Sequence, residues 1–383
     1  MATIVVYRDE ILPTNETFIH NQVGLVREHQ IEYVGLRRSR RSLPLNAPAI
    51  VLSDSRSRYS KARSDAYRAV PVAPAFHKSI RKTQPDLIHA HFSQNATTIL
   101  PFARRAGIPL IVTLHGSFET VPPAKLVRGL NSFLFVLKRA ELWQYTSQFL
   151  CVSDFVRRKA IEFGFPESKL GLHYIGIDSD YFSPGNDPKN PELILFTGRL
   201  AEKKGCEYLL RAMHLIRKHR PSAKLVVIGN GELRKDLEEL NRQLCVDAEF
   251  LGEQPSPVIR DWLRRARVFC GPSVTAASGD MEGLPMVLCE AQAVGTPVVS
   301  TVHAGIPEIV HHQCTGLLAK ERDYKQLAEH ILILLADGSK WTEFSRAGRE
   351  LVTRQFDLKT QTRKLEELYS LFATKSSPQE TSS

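Results

Sequence analysis

Two doubly wound α/β domains facing a cleft are the fold class this sequence predicts, on three observations. Short apolar runs alternate with helical patterns through both halves of the chain, which implies βαβ units and parallel sheets. The stretch 178–191, with three Pro, two Asn and one Gly, separates the two series as a linker. The length, 383 residues, suffices for two cores. In such sheets ligands sit beyond the carboxyl ends of the strands.

In the first half, the apolar runs 4–7, 30–36, 87–90, 110–113 and 149–152 read as strands. Residues 17–29, 95–106 and 154–163 read as the helices between them. The segment 37–64, rich in Arg, Ser and Pro, reads as irregular. After the linker, strands at 193–198, 224–229, 249–252, 267–270 and 297–301 alternate with helices at 207–219, 232–244, 258–265 and 286–294. Helical patterns follow at 324–337, 339–355 and 358–372, and the polar tail 373–383 reads as disordered. The expected domains are therefore 1–184 and 185–357.

Composition removes several classes of function. No apolar run approaches the ~20 residues of a membrane span, and residues 1–7 read as a buried first strand rather than a signal peptide. The six cysteines are scattered without a Cys-x-x-Cys pair, which favours reduced, buried cytosolic thiols over disulfides or zinc. Net charge is +10, and residues 1–184 carry 24 Lys and Arg against 15 Asp and Glu, so the basic character belongs to the first half. Such a half attracts phospholipids, lipid-linked diphosphates or nucleic acid, unless the charge is simply solvated. The run 125–139 mixes apolar bulk with basic ends: it either docks on a membrane surface or forms a core helix with solvated ends.

The segment Glu282-Gly283-Leu284-Pro285 to Glu290 holds the most chemistry. Two carboxylates stand eight residues apart, with Glu282 in a loop and Glu290 inside the helix that Pro285 opens and Gly295 closes. Eight residues at ~1.5 Å each span on the order of 12 Å, roughly the reach from a ribose across a diphosphate to a sugar. The free N–H groups of the first turn favour an anion in that gap.

Other strand ends offer polar groups. Gly198 to Gly205 follows a strand and presents Arg199 and Lys204, two cations suited to phosphate oxygens or to a solvated loop. Gly229-Asn230-Gly231 follows the next strand but lacks the third glycine of a dinucleotide fingerprint, since Arg234 stands there. It either passes close to a nucleotide or turns the chain. Gly252 ends a further strand at the same rim, where backbone groups could read a base. His115 ends a strand of the first domain beside Gly116, where it could bond a sugar or assist deprotonation, or be structural. His89 and His91 read as one structural and one rim histidine, and no metal site is expected. Thr14 or Asn15 reads as the cap of the first helix, in a position to meet donor or acceptor.

These motifs, in this order, resemble the family-4 retaining glycosyltransferases of GT-B architecture. The strongest match runs from Leu195 to Leu318, through Gly198-Arg199 with Lys204-Gly205, Gly229-Asn230-Gly231, Gly252, the two-glutamate segment and Gly305-Ile306-Pro307-Glu308. Residues 13–19 and 88–92 are similar to the branch that builds bacterial exopolysaccharides, including the colanic-acid type. The resemblance covers nearly the whole chain apart from the tail. It implies that Glu282 meets the donor sugar, Glu290 binds the ribose hydroxyls, and Arg199 and Lys204 hold the diphosphate. It further implies that Gly283 and Leu284 offer backbone N–H groups, that His115 lies near the reacting carbon, and that the helix 358–372 returns to the first domain. Thr14-Asn15-Glu16-Thr17 departs from the glycine-rich loop that many members carry there.

The expected function is transfer of a sugar from a UDP- or GDP-type nucleotide-diphosphate sugar to a hydroxyl of a saccharide acceptor. The resemblance implies a retaining, metal-independent reaction with no resident cofactor, in bacterial polysaccharide biosynthesis. A polyprenyl-diphosphate-linked acceptor and a cytoplasmic location, peripheral on an anionic inner membrane face, are the expected setting, with no nucleic acid partner. The alternatives are a nucleotide-sugar epimerase on the same fold and a non-catalytic nucleotide-sugar binding protein. A dehydrogenase is disfavoured by the missing third glycine.

Overall fold

The computed structural model describes residues 1–13, 16–38, 42–53, 59–116, 130–186 and 188–373. They form two compact units, Met1–Gly176 with the segment from Leu358 onward, and Ile177–Asp357.

The first unit is built on β1 (Thr3–Tyr7), β2 (Glu10–Ile11), β3 (Gln30–Arg38), β4 (Ala49–Ser53), β5 (Leu87–His91), β6 (Leu110–Leu114), β7 (Gln148–Cys151) and β8 (Leu170–Leu172). Their order is β2-β3-β1-β5-β6-β7-β8, with β4 also on β3, and every pair is parallel. All five residues of β5 and of β6 are buried, as expected of parallel strands covered on both faces. The helix Ser93–Ala106 ends on Gly107 at φ +67, the left-handed geometry that glycine adopts without Cβ strain. Ser153 caps the helix Asp154–Phe163 by accepting the Val156 N–H at 3.1 Å.

The segment 37–64 is not irregular throughout. Residues 49–53 pair with Tyr33–Arg37 as β4, and a helix starts at Ser60. The strand is the apolar run 49–52 within otherwise polar sequence, and only Leu52 and Ser53 of β4 are buried. The first helix stops at Leu25 rather than at 29. There the Glu366 carboxylate accepts the backbone N–H groups of Arg27 and Glu28 at 2.6 and 2.7 Å, turning the chain.

Glu366 lies on the helix Leu358–Ala373, which packs Leu365, Tyr369 and Ala373 against Ile4, Leu87, Ile111 and Leu150 of the first unit's sheet. The Tyr369 hydroxyl lies 2.7 Å from His89 Nδ1, and the Thr113 hydroxyl lies 2.7 Å from His89 Nε2. With both ring nitrogens occupied and burial holding it far below its ordinary pKa, His89 is structural.

The second unit contains β9 (Leu193–Thr197), β10 (Lys224–Ile228), β11 (Glu249–Gly252), β12 (Val268–Gly271), β13 (Val298–Thr301) and β14 (Gly316–Ala319). The order β11-β10-β9-β12-β13-β14, all parallel, reverses direction between β9 and β12. This is the order of a doubly wound nucleotide-binding sheet, with its switch point at β9/β12. The core gathers Ile194, Phe196, Leu209, Met213, Val227, Val268 and Ile331.

The Pro- and Asn-rich stretch belongs to this unit rather than forming a free tether. Arg264 Nε donates to the Ser183 carbonyl at 2.7 Å, and Lys189 Nζ donates to the Arg264 carbonyl and to Thr296 Oγ1 at 3.0 and 2.7 Å. The division accordingly falls after Gly176, ahead of the expected 184. Four of the six cysteines are buried, but Cys245 and Cys314 are exposed, against the expectation of buried thiols throughout. Both exposed cysteines lie in turns between elements. No described helix is long and apolar enough to cross a membrane.

Candidate functional site

At the β9/β12 switch point two loops leave the sheet, residues 198–205 after β9 and 272–285 after β12. Glycines let them pass closely. A Cβ on Gly205, at φ +66, would lie 1.9 Å from the Pro272 carbonyl oxygen. A Cβ on Gly229, at φ +135, would lie 1.9 Å from the Gly198 oxygen, and one on Gly231 would meet Leu200 O at 2.4 Å. The Gly229 N–H donates to the Gly252 carbonyl at 2.8 Å, and Leu200 N–H donates to Asn230 O at 2.9 Å. Gly198, Gly229, Gly231 and Gly252 thus form one rim of backbone, and loop-to-loop contact by itself accounts for the Gly-Asn-Gly turn.

The structure brings Lys204 and Glu282 together. Lys204 Nζ lies 2.7 Å from Glu282 Oε1, with the two side chains 22% and 7% exposed. Ser273 Oγ donates to the same oxygen at 3.3 Å. Burial would raise the Glu282 carboxyl, but Lys204 and then Lys203 hold it below the ordinary carboxylate range. Glu282 is therefore an ionised, nearly buried carboxylate. Arg199 stands exposed on the Lys204 loop. Gly283 and Leu284 are buried just ahead of the helix Met286–Ala293, where Pro285 is the N-cap rather than the first helical residue. Glu290 lies on this helix, half-buried, and burial pushes its carboxyl up to about 7.

The 272–285 loop has no regular structure, yet side chains lace it in place. Lys203 Nζ donates to Asp280 Oδ1 at 3.0 Å and to the Met281 carbonyl at 3.2 Å. Glu202 accepts the Ala277 N–H at 2.9 Å. Glu321 accepts the Thr275 N–H and hydroxyl at 2.9 and 3.2 Å. His303, 2% exposed, accepts the Glu282 N–H on Nε2 at 3.2 Å and meets Glu321 Oε1 through Nδ1 at 2.7 Å. Lys203, His303 and Glu321 escaped the sequence reading. His303 carries the same signal as His115, a histidine just past a strand end. Glu321 follows β14, a strand absent from that reading.

The first unit has its own reversal between β1 and β5. His115 there meets His91, the last residue of β5, with Nε2 to Nδ1 at 3.0 Å. Burial, then Arg8 and His89, holds His115 far below its ordinary pKa, so the ring is neutral. Phe18 and Phe92 flank it with ring centroids 4.9 and 4.4 Å away. Arg8 forks onto the Glu16 carboxylate, at 2.9 Å from Nε and 2.5 Å from the terminal nitrogen, and lies 4.3 Å over the Phe92 ring. Phe92 itself sits at φ +69, a strained conformation for a bulky residue, at the rim where ligands of such sheets bind. Arg8 carried no sequence signal, and Phe92 entered the sequence reading only as the last residue of the 88–92 resemblance. Thr14 and Asn15 lie outside the described residues.

Residues 18–181 match the family described as Glycosyltransferase Family 4, and residues 178–351 match Glycosyl transferases group 1. A relative in Escherichia coli, named for colanic acid biosynthesis as the glycosyltransferase WcaL, is 33% identical over 60% of this chain and 57% of its own length. The alignment thus spans little more than half of that relative. The WcaL protein of Salmonella typhimurium is 29% identical over 83% of this chain and 87% of its own. Among solved structures, HepE of Anabaena in complex with UDP and glucose superposes with a TM-score of 0.78, at 17% identity, over 97% of this chain and all of that one; at this identity the likeness shows the fold. With a Family 4 segment leading into a group 1 segment on two parallel-sheet α/β units, the chain belongs to the glycosyltransferases of these paired families.

Proposed function

We propose that this chain transfers a sugar from a nucleotide-diphosphate sugar to a saccharide hydroxyl, with retention of configuration, in bacterial polysaccharide biosynthesis. The observation that carries the reading is the Lys204–Glu282 pair at the β9/β12 switch point, beside the first turn of Met286–Ala293. Lys204 is positioned to exchange its partner from carboxylate to diphosphate as donor enters, joined by Arg199 and the first-turn amides. Developing negative charge on the leaving diphosphate is then stabilised without a metal. Glu282, ionised and fixed, orients sugar hydroxyls rather than attacking the ring. The departing phosphate oxygen takes the acceptor proton, so no protein base is required. Glu290, titrating near neutrality, accepts from ribose hydroxyls in its ionised form. His115, neutral, hydrogen-bonds the sugar.

The names of the relatives favour exopolysaccharide, and HepE holds UDP, so the donor panel comprises UDP- and GDP-sugars. The lipid-linked acceptor and a peripheral position on an anionic membrane face are supported by the basic first half. They are also supported by Phe133 and Leu137, 54% and 67% exposed and one turn apart on the helix Leu130–Tyr145. A thermal-shift screen of the donor panel tests the reading, because a ligand at 100-fold its Kd stabilises by about 2.7 kcal/mol. A folded protein stabilised by no UDP or GDP sugar would overturn it. Nucleotide release that needs an acceptor would separate transfer from epimerisation.

A further inference from the structure

We propose that His303 and Glu321 are positioning residues that aim Glu282, an inference that rests on the sugar-transfer reading above. The Glu282 backbone N–H can only donate, so His303 Nε2, 3.2 Å away, must accept. In that geometry the ring is neutral with its proton on Nδ1, which donates to Glu321 Oε1 at 2.7 Å. The ring is buried and bonded at both ends, leaving it no freedom to turn.

Glu321 serves two points of the same loop. One oxygen takes the His303 proton and the Thr275 hydroxyl, and the other takes the Thr275 N–H and Arg322 Nη1, the last at 3.3 Å. A loop without helix or strand is thereby anchored to the end of β14 both near its start and near its end. The second anchor acts on the backbone of the residue whose carboxylate meets Lys204. Without the imidazole, the buried Glu282 N–H has no acceptor and the loop end is released. The carboxylate then samples orientations that still allow nucleotide binding but misplace the sugar, because reaction rate depends on position more steeply than affinity does. Neither residue touches the Glu282 carboxylate, so they act through the backbone.

The test compares wild type with His303→Ala, His303→Gln and Glu321→Gln. In histidine-labelled protein, the ring signal lost in His303→Gln should show the Nδ1–H tautomer, and Glu321→Gln should shift it. Amide exchange in 273–285 should accelerate at least tenfold in His303→Ala. With UDP-glucose and GDP-mannose as probes, kcat should fall at least tenfold while the Kd for UDP or GDP moves less than threefold. His303→Gln, whose amide oxygen can accept from Glu282, should recover part of the loss. An Nε2–H tautomer, unchanged loop exchange, or a loss confined to Kd would overturn the proposal. If wild type turns over neither probe, the donor panel above decides the transfer reading, and the tautomer and exchange measurements still decide the brace.

Discussion

Lys204→Met should turn Glu282 from a carboxylate held below its usual range into one whose burial lacks its nearest opposing cation. Exposed ion pairs contribute about 0–1 kcal/mol, and breaking a buried pair costs about 3–5. At 22% and 7% side-chain exposure and 2.7 Å separation, this pair lies nearer the buried limit. Lys203, bonded to Asp280, still faces the site and softens the loss. A destabilisation of about 2–3 kcal/mol at pH 8 follows.

The pH dependence has a definite sign. In wild type the depressed Glu282 pKa contributes stability above the ordinary carboxyl range, lost as pH falls through the folded-state value. Without Lys204 that contribution is largely absent, so the gap between variant and wild type should be wide at pH 8 and should narrow on acidification. Urea unfolding followed through Trp262 and Trp341, both in the Ile177–Asp357 unit, measures the gap. Lys204→Met with Glu282→Gln should recover most of it, since the unpaired charge is gone. A loss below about 0.5 kcal/mol at pH 8, or a loss that does not narrow as pH falls into the ordinary carboxyl range, would refute the reasoning.

Glu290→Gln should stabilise the protein at pH 8 and not below the ordinary carboxyl range. Burial raises this carboxyl to about 7, so ionising it costs folded-state stability as pH rises toward that value, by on the order of 2–3 kcal/mol. A melting temperature that gains nothing at pH 8 would count against the buried-carboxyl account. Gly229→Ala should cost at least about 2 kcal/mol, because its Cβ would meet Gly198 O at 1.9 Å in a backbone region that suits glycine. An unchanged urea midpoint would disprove that crowding. Phe133→Ser with Leu137→Ser should weaken sedimentation with phosphatidylglycerol vesicles by about tenfold or more, two buried apolar side chains being worth roughly 3 kcal/mol or more, while unfolding is unaffected. Equal sedimentation would remove the membrane proposal.

Much of the architecture was legible because parallel strands buried on both faces are continuous apolar runs, such as residues 193–196 and 225–228. The apolar runs of β4 and β14 are present but short, the first set among Arg, Ser and Pro and the second only four residues long, so both strands were missed, and Glu321 went unseen with β14. Glu282 and Lys204 were readable as charged residues in the loops after strands, and Glu290 as a carboxylate inside the helix that follows. Their electrostatic states were not, since one carboxyl is lowered by two lysines and the other is raised by burial.

Local periodicity and residue type, read along the chain, were enough to establish two alternating α/β series, the family motifs and the loop that carries the acidic residues. Only the tertiary structure decided that Lys204 grips Glu282, that His303 and Glu321 hold the loop, that His89 bonds Tyr369 across 280 residues of sequence, and that Gly229 serves a loop crossing. Hydrophobic patterning is a property of neighbours along the chain. Hydrogen bonds and desolvation depend on which strand ends the sheet order sets side by side.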